Sequence, residues 1–218
     1  GLVGADGPTH HGVYDISYTR QFPTMVVMAP ADAAELKFMF RFALETKAPV
    51  AIRYPRTTVI ESVAGASSAP VELGASVVLR DGSDATILAY GVTCAAAMEA
   101  AEMLEADGLD VAVVNARFAK PLDEEAILEA ARRGPIVTAE EHSLVGGFGS
   151  AVVELLSDRG VEASVTRLGI PDRFMEHGAR PRLLAGISLN AAGMADAVRA
   201  LLEAKRPSRA AASGEAQR

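Results

Sequence analysis

Asp6 and His10 are the residues best suited by type and spacing to do chemistry in this sequence. They stand four apart in Gly4-Ala5-Asp6-Gly7-Pro8-Thr9-His10-His11-Gly12, where the glycines and Pro8 make tight turns. Val13, Ile16 and Tyr18 then lead back toward a core. Histidine has an ordinary pKa near ~6.5, so His10 can give and take protons at neutral pH. Asp6, across a Gly-Pro turn, can face the same cavity. The same spacing also suits a turn held by an aspartate beside a surface histidine, and on spacing alone that plainer outcome is the commoner one. His11 is adjacent to His10 and is expected to point elsewhere. The loop opens almost at residue 1 with no element before it. A polar loop of this kind needs a scaffold on both sides, so the chain is expected to be the later part of a longer protein.

A second group is Arg53 and Arg56, flanking Tyr54-Pro55 at the end of an expected strand. The carboxyl ends of parallel strands are where α/β sheets bind ligands. An arginine there can hold a phosphate through two parallel hydrogen bonds, or simply pair with a carboxylate such as Glu61. Three residues apart on a strand, the two arginines face opposite sides, so only one is expected to reach a site. Glu140-Glu141-His142 offers paired carboxylates, but an acidic pair ahead of a helix more often caps it and faces solvent. His177 is expected to order its loop rather than react.

Other chemistries find little support. The sequence holds no Gly-Lys-Ser/Thr phosphate loop and no Gly-x-Ser-x-Gly elbow. Gly147-Phe148-Gly149 precedes a helix, but Val152 replaces the third glycine of a dinucleotide fingerprint. One cysteine, Cys94, excludes an internal disulfide framework, suits a reducing compartment and leaves a structural zinc site short of ligands. The net charge of −7, without a Lys/Arg stripe, argues against nucleic acid as a partner. Half the 218 residues are apolar, yet no run approaches the ~18–20 needed to span a bilayer. The expectation is a soluble cytoplasmic protein with no membrane partner.

The elements that must carry these residues alternate strand and helix. Met25–Met28 reads as a strand buried on both faces, and Leu36, Met39, Phe40 and Ala43 mark a helix face. Pro49 introduces a strand over Val50–Tyr54. These pieces of a parallel sheet are too few to close a domain. Ser, Ala, Gly and Pro then dominate Ala64–Pro70, as in a linker. Beyond it come strands at Ala85–Tyr90, Val111–Val114, Pro135–Thr138 and Ala163–Leu168. Helices lie between them: one through Ala97, Ala100, Ala101 and Leu104 that Gly108 closes, one capped by Asp123, and one over Ser150–Asp158. A last helix covers about Ala191–Ala204. The pattern predicts a mostly parallel sheet with helices on both faces.

The loop motif, continued by Asp15-Ile16-Ser17-Tyr18, resembles the 1-deoxy-D-xylulose-5-phosphate synthases, a thiamine-diphosphate-dependent transketolase-like family. Met28-Ala29-Pro30-Ala31-Asp32, Ile52-Arg53-Tyr54-Pro55-Arg56, Arg117-Phe118-Ala119-Lys120-Pro121-Leu122-Asp123 and Gly169-Ile170-Pro171-Asp172-Arg173-Phe174 agree in order. So does Glu140-Glu141-His142 with its Gly146-Gly147-Phe148-Gly149 turn. Transketolases proper share the Gly-Asp-Gly-Pro-Thr-His turn but differ after it and at Arg53–Arg56. The β subunits of 2-oxo acid dehydrogenases are similar only in layout, and a free-standing non-catalytic C-terminal module is a further alternative.

The resemblance implies an α/β chain in which residues 1–62 are the later part of a pyrimidine-binding domain. Residues 63–81 are then a linker, 82–205 a transketolase C-terminal domain, and 206–218 a disordered tail. It implies condensation of pyruvate with D-glyceraldehyde 3-phosphate to 1-deoxy-D-xylulose 5-phosphate and CO2, feeding isoprenoid, thiamine and pyridoxal phosphate synthesis. Thiamine diphosphate and Mg2+ would serve as cofactors, held by residues upstream of this chain, so none of its own residues is assigned to either. His10 matches the family's active-site histidine, Asp6 a residue that contacts the aldehyde's hydroxyl, and Arg56 an arginine for its phosphate. Glu140, Glu141 and His142 are then structural or interfacial. The intact enzyme would be a homodimer that includes the missing N-terminal domain, and this chain alone would be inactive.

Overall fold

The computed structural model describes residues 1–58 and 60–205. A 3-10 turn at Gly4–Asp6 and the short helix α1 (Asp15–Thr19) lead into strand β1 (Val26–Met28). Helix α2 (Ala33–Glu45) starts where Asp32 caps it, its Oδ1 accepting from Glu35 N at 2.8 Å. Strand β2 (Val50–Ile52) lies parallel to β1 and stops two residues short of the expected end.

The inward face of α2 differs from the expected one. Met39 is buried, but Phe40 is 48% exposed and Phe42 packs inward, edge-on to Phe118 with ring centroids 6.0 Å apart. The buried face follows Glu35, Met39 and Phe42. Apolar periodicity misses this rotation because one of its members is an acid.

Strand β3 (Val77–Arg80) falls inside the expected linker and pairs antiparallel with a later strand over Val111–Asn115. Its Val77 is buried and its Val78 exposed, the weak half-buried pattern of an edge strand. Then follow β4 (Ala85–Ala89), α3 (Thr93–Ala106), β5 (Val111–Asn115), β6 (Phe118–Lys120), α4 (Glu124–Arg133), β7 (Ile136–Ser143), α5 (Phe148–Asp158), β8 (Val165–Ile170), α6 (Arg180–Ala185) and α7 (Ala191–Lys205). The larger sheet has the order β3-β5-β4-β7-β8, with β4, β5, β7 and β8 parallel. Ile87 packs on one side with Ala97, Ala101 and Leu104 of α3 and Val198 of α7. Leu88, its neighbour, packs on the other side with Ile127 of α4 and Val152 of α5. Helices therefore cover both faces, as the continuous apolar strands require. Asp123 caps α4 by accepting from Ala126 N at 3.0 Å. The expected tail, 206–218, lies outside the described residues.

The smaller sheet has the order β2-β1-β6. Strand β6 comes from the later half of the chain and runs antiparallel to β1. The two halves thus share a sheet, and a buried polar cluster locks the junction. Arg117 Nε donates to Glu35 Oε1 at 2.6 Å, and Asn115 Nδ2 lies 3.0 Å from both Glu35 oxygens. Ala31 N donates to Glu35 Oε2 at 2.7 Å. The Arg117 guanidinium also donates to the carbonyls of Ala66, Ala69 and Pro70 at 2.8, 3.0 and 2.9 Å. One side chain therefore holds helix α2, the link between β5 and β6 and the connecting segment together.

Removing one partner of such a pair leaves a buried charge without compensation, at a cost of about 3–5 kcal/mol. Arg117→Met is expected to lose that much stability in urea unfolding, and Arg117→Met with Glu35→Gln to recover part of it. Equal losses in the single and double variants would show that packing, not the orphaned carboxylate, sets the cost.

Candidate functional site

Loop 4–12 turns tightly enough that Gly4 and Gly7 both take φ of +72°. At Gly7 a Cβ would stand 3.3 Å from the His177 Cβ, so glycine serves both the conformation and the close packing. His177, expected to order its own loop, thus lies against loop 4–12. Gly178 N reinforces the contact by donating to Gly4 O at 3.1 Å.

Asp6 and Arg56 meet in an ion pair, Arg56 Nη1 to Asp6 Oδ2. The Arg56 side chain is 75% exposed, so the pair sits at an open surface. His10 lies exposed on the same loop, its Nδ1 3.0 Å from Thr9 Oγ1. Among the described residues it hydrogen-bonds neither Asp6 nor Arg56 through its side chain. The structure thus joins two of the three expected site residues directly and carries the third on the same short loop. His11 turns inward, its Nδ1 accepting from Val3 N at 3.1 Å.

Arg53 turns the other way, into the protein. Its Nε donates to Asp15 Oδ2 at 2.7 Å, and its Nη2 reaches Asp15 Oδ1 at 3.1 Å. Nη2 also donates to the carbonyls of Gly12 and Glu141 at 3.0 and 3.2 Å. Burial opposes the charge on Asp15, but the hydrogen bonds and charge of Arg53 outweigh it and hold the carboxyl below its ordinary range. In the sequence Asp15 stood out only as the first residue of the segment that continues the loop motif.

Glu140, Glu141 and His142 are inside β7 rather than after it, and all three are buried. The strand runs through its own charges because each finds a partner. Glu140 caps α5, with Oε2 accepting from Phe148 N at 2.6 Å and Oε1 from Gly149 N at 2.8 Å. The Gly147-Phe148-Gly149 turn permits this approach, since a Cβ on Gly147 would collide with Glu140 Oε2. Burial nevertheless raises the Glu140 pKa to about 7 against the pull of those amides. Glu141 Oε1 accepts from Leu2 N at 2.6 Å, and its carboxylate pairs with Arg180.

His142 Nδ1 donates to Ser143 O at 2.8 Å. Its Nε2 is thereby left to accept from Ile16 N at 3.0 Å and Ser17 N at 3.4 Å. Burial lowers its pKa to about 4, consistent with a neutral ring facing two helix amides. Among the described residues no group of three or more His, Cys, Asp or Glu can hold a metal ion.

Two family models match the chain: "Transketolase, pyrimidine binding domain" over residues 1–60 and "Transketolase, C-terminal domain" over residues 74–194. A 1-deoxy-D-xylulose-5-phosphate synthase 1 of Geobacter sulfurreducens is 50% identical over 207 residues, covering 94% of this chain and 32% of the relative. The 1-deoxy-D-xylulose-5-phosphate synthase of Heliobacterium modesticaldum is 49% identical with the same coverage of both. The chain therefore spans about a third of the length of these curated relatives. Among solved structures, a split-gene transketolase described as an inactive beta4 tetramer matches with TM-score 0.83 and 40% identity, covering 93% of this chain and 65% of that one. A transketolase mutant from Pichia stipitis, 21% identical, matches with TM-score 0.73 over 94% of this chain and 29% of its own, a likeness of fold.

The two displaced pKa values act oppositely on stability. For His142 the folded value of about 4 lies below the ordinary 6.5, so the unfolded chain takes the proton first as pH falls. Its contribution is complete above about pH 6.5 and is lost toward pH 4, an effect of roughly 3 kcal/mol. For Glu140 the folded value is raised from 4.5 to about 7, so its contribution is complete below 4.5 and lost as pH rises through 7. The wild-type curve mixes both, and the difference from a His142→Gln variant isolates the histidine. Wild type's advantage over that variant is expected to shrink as pH falls from 7 to 4 in urea unfolding. A difference independent of pH would refute the neutral-cap assignment.

Proposed function

This chain belongs to the transketolase family, and on that premise we propose that it is the C-terminal part of a 1-deoxy-D-xylulose-5-phosphate synthase. The intact enzyme would be a transferase condensing pyruvate with D-glyceraldehyde 3-phosphate to 1-deoxy-D-xylulose 5-phosphate and CO2. The observation that carries this reading is the 50% identity to such a synthase over 207 residues, running through both halves of the chain. In this reading residues 1–62 belong to the pyrimidine-binding domain, 63–81 connect, and 82–205 form the C-terminal domain, with β3 of the connection added to the C-terminal sheet.

The candidate residues take roles that their positions suit. Arg56 reaches into solvent and presents a planar set of donors to the aldehyde's phosphate. Asp6, which holds that guanidinium in the structure, faces the aldehyde's hydroxyl. His10 moves a proton or hydrogen-bonds the reacting oxygens from the exposed side of the loop. Thiamine diphosphate would supply the electron sink for decarboxylation, with magnesium on its diphosphate. In this reading, as the resemblance implies, the residues that hold both cofactors would lie outside this chain. A homodimer in the cytoplasm completes the reading, and the chain alone is inactive.

The 40% identity to the split-gene transketolase favours a second reading, a transketolase-like enzyme with a different donor. Assays with pyruvate against ketose phosphates as donor separate the two.

In the intact enzyme His10→Ala is expected to cut turnover about 10²–10⁴-fold, the usual range for a positioned acid–base group. Arg56→Ala should act mainly through the apparent KM for the phosphorylated aldehyde. Steady-state kinetics with unchanged KM for that substrate would remove the Arg56 assignment.

A further inference from the structure

We propose that Glu141 and His142 are positioning residues for the loop that bears Asp6 and His10, holding its two ends in place from the C-terminal domain. The inference rests on the catalytic role given to that loop above.

The loop's contacts divide into anchored ends and an exposed tip. At the first end Leu2 is fully buried and its N–H donates to Glu141 Oε1 at 2.6 Å. At the far end Ser143 N donates to Val13 O at 2.8 Å, and Ile16 N donates to His142 Nε2 at 3.0 Å. Three successive residues of β7 therefore meet residues 2, 13 and 16. Between the ends, Asp6, Thr9 and His10 are exposed. The loop is also met there by Gly178 N on Gly4 O at 3.1 Å, by His177 beside Gly7 and by Arg56 on Asp6, while the His10 side chain has no contact of this kind beyond Thr9 among the described residues.

Each anchor is built for its task. Arg180 Nε lies 3.1 Å from the same Glu141 Oε1 that meets Leu2, so the carboxylate is held from one side while it receives the loop from the other. Arg53 joins the far end to the strand, donating to Gly12 O at 3.0 Å and to Glu141 O at 3.2 Å. Helix α1 has no side-chain cap at Tyr14, and His142 fills that place from another strand. An acceptor at this point fixes where α1 begins, and so where the loop must end. Both side chains are buried, and both act through the loop.

The geometry of a catalytic group is sensitive to such support, since a misplacement of ~1 Å can cost ~10²-fold in rate. Glu141→Ala leaves Leu2 N buried without an acceptor, whereas Glu141→Gln keeps a carbonyl oxygen for it. The test uses the intact enzyme and two readouts: hydrogen exchange of peptides covering residues 1–17, and kcat per folded molecule. Glu141→Ala is expected to speed exchange in those peptides and lower kcat about 10–100-fold, with α3 and α7 peptides unchanged. Glu141→Gln is expected to restore most of both. Wild-type exchange in Glu141→Ala overturns the anchoring. Faster exchange with unchanged kcat reduces it to a purely structural contact and overturns the positioning role. If Glu141→Ala does not fold, Arg180→Ala is measured in the same way, and wild-type values of both quantities overturn the proposal. The exchange readout is independent of the reaction. A His10→Ala enzyme with full turnover would therefore count against the catalytic reading of the loop while leaving the anchoring intact.

Discussion

The buried pairing of Glu35 with Arg117 is the constraint on which the rest of the arrangement depends. A charge this deep is tolerated only when its partners are in place. Here the partners come from three parts of the chain: α2, the link between β5 and β6 and the connection through Ala66–Pro70. Arg117 takes a positive φ of 55°, and its own N–H is met by Asn115 Oδ1 at 3.1 Å. From this residue the chain enters β6, which closes the small sheet of the first half. The relation of the two halves is thus set by a satisfied polar cluster as well as by the apolar contact of Val26, Met28, Met39 and Phe118.

With that relation fixed, β7 reaches the loop. Glu140, Glu141 and His142 alternate in direction along the strand, as side chains on a strand must. Glu140 and His142 each satisfy a helix N-terminus, α5 and α1 respectively, while Glu141 takes the loop's entry and Arg180. An acid meeting helix amides and a histidine meeting helix amides solve the same problem, the unsatisfied N–H groups of a first turn. Burial pushes the two toward neutrality, the acid upward and the base downward. Three ion pairs remain around them, Glu35–Arg117 at the junction and Arg53–Asp15 and Arg180–Glu141 beside the loop.

Much of the layout was legible in the residues. The α3 face through Ala97, Ala100, Ala101 and Leu104 is buried throughout, and Asp123 caps α4. Both follow from local rules, helical periodicity and a short acceptor before a helix. The Asp-Gly-Pro-Thr-His turn was visible because glycine and proline mark turns chemically. Strand β3 escaped notice because edge strands bury only part of their length. The inward rotation of α2 escaped because Glu35 is an acid, and its burial depends on Arg117, 82 positions later.

Sequence by itself thus determined which segments are strands and helices, where the polar loop lies, and, through resemblance, the family. These are properties of short stretches, and local chemistry carries them. Only the tertiary structure decided that Arg56 meets Asp6 while Arg53 turns inward to Asp15. It alone made Glu140-Glu141-His142 an interior strand that grips the loop instead of a solvated edge. The reason is physical: the environment of a charge is set by groups distant in the chain, and no local pattern records which partner will arrive to satisfy it.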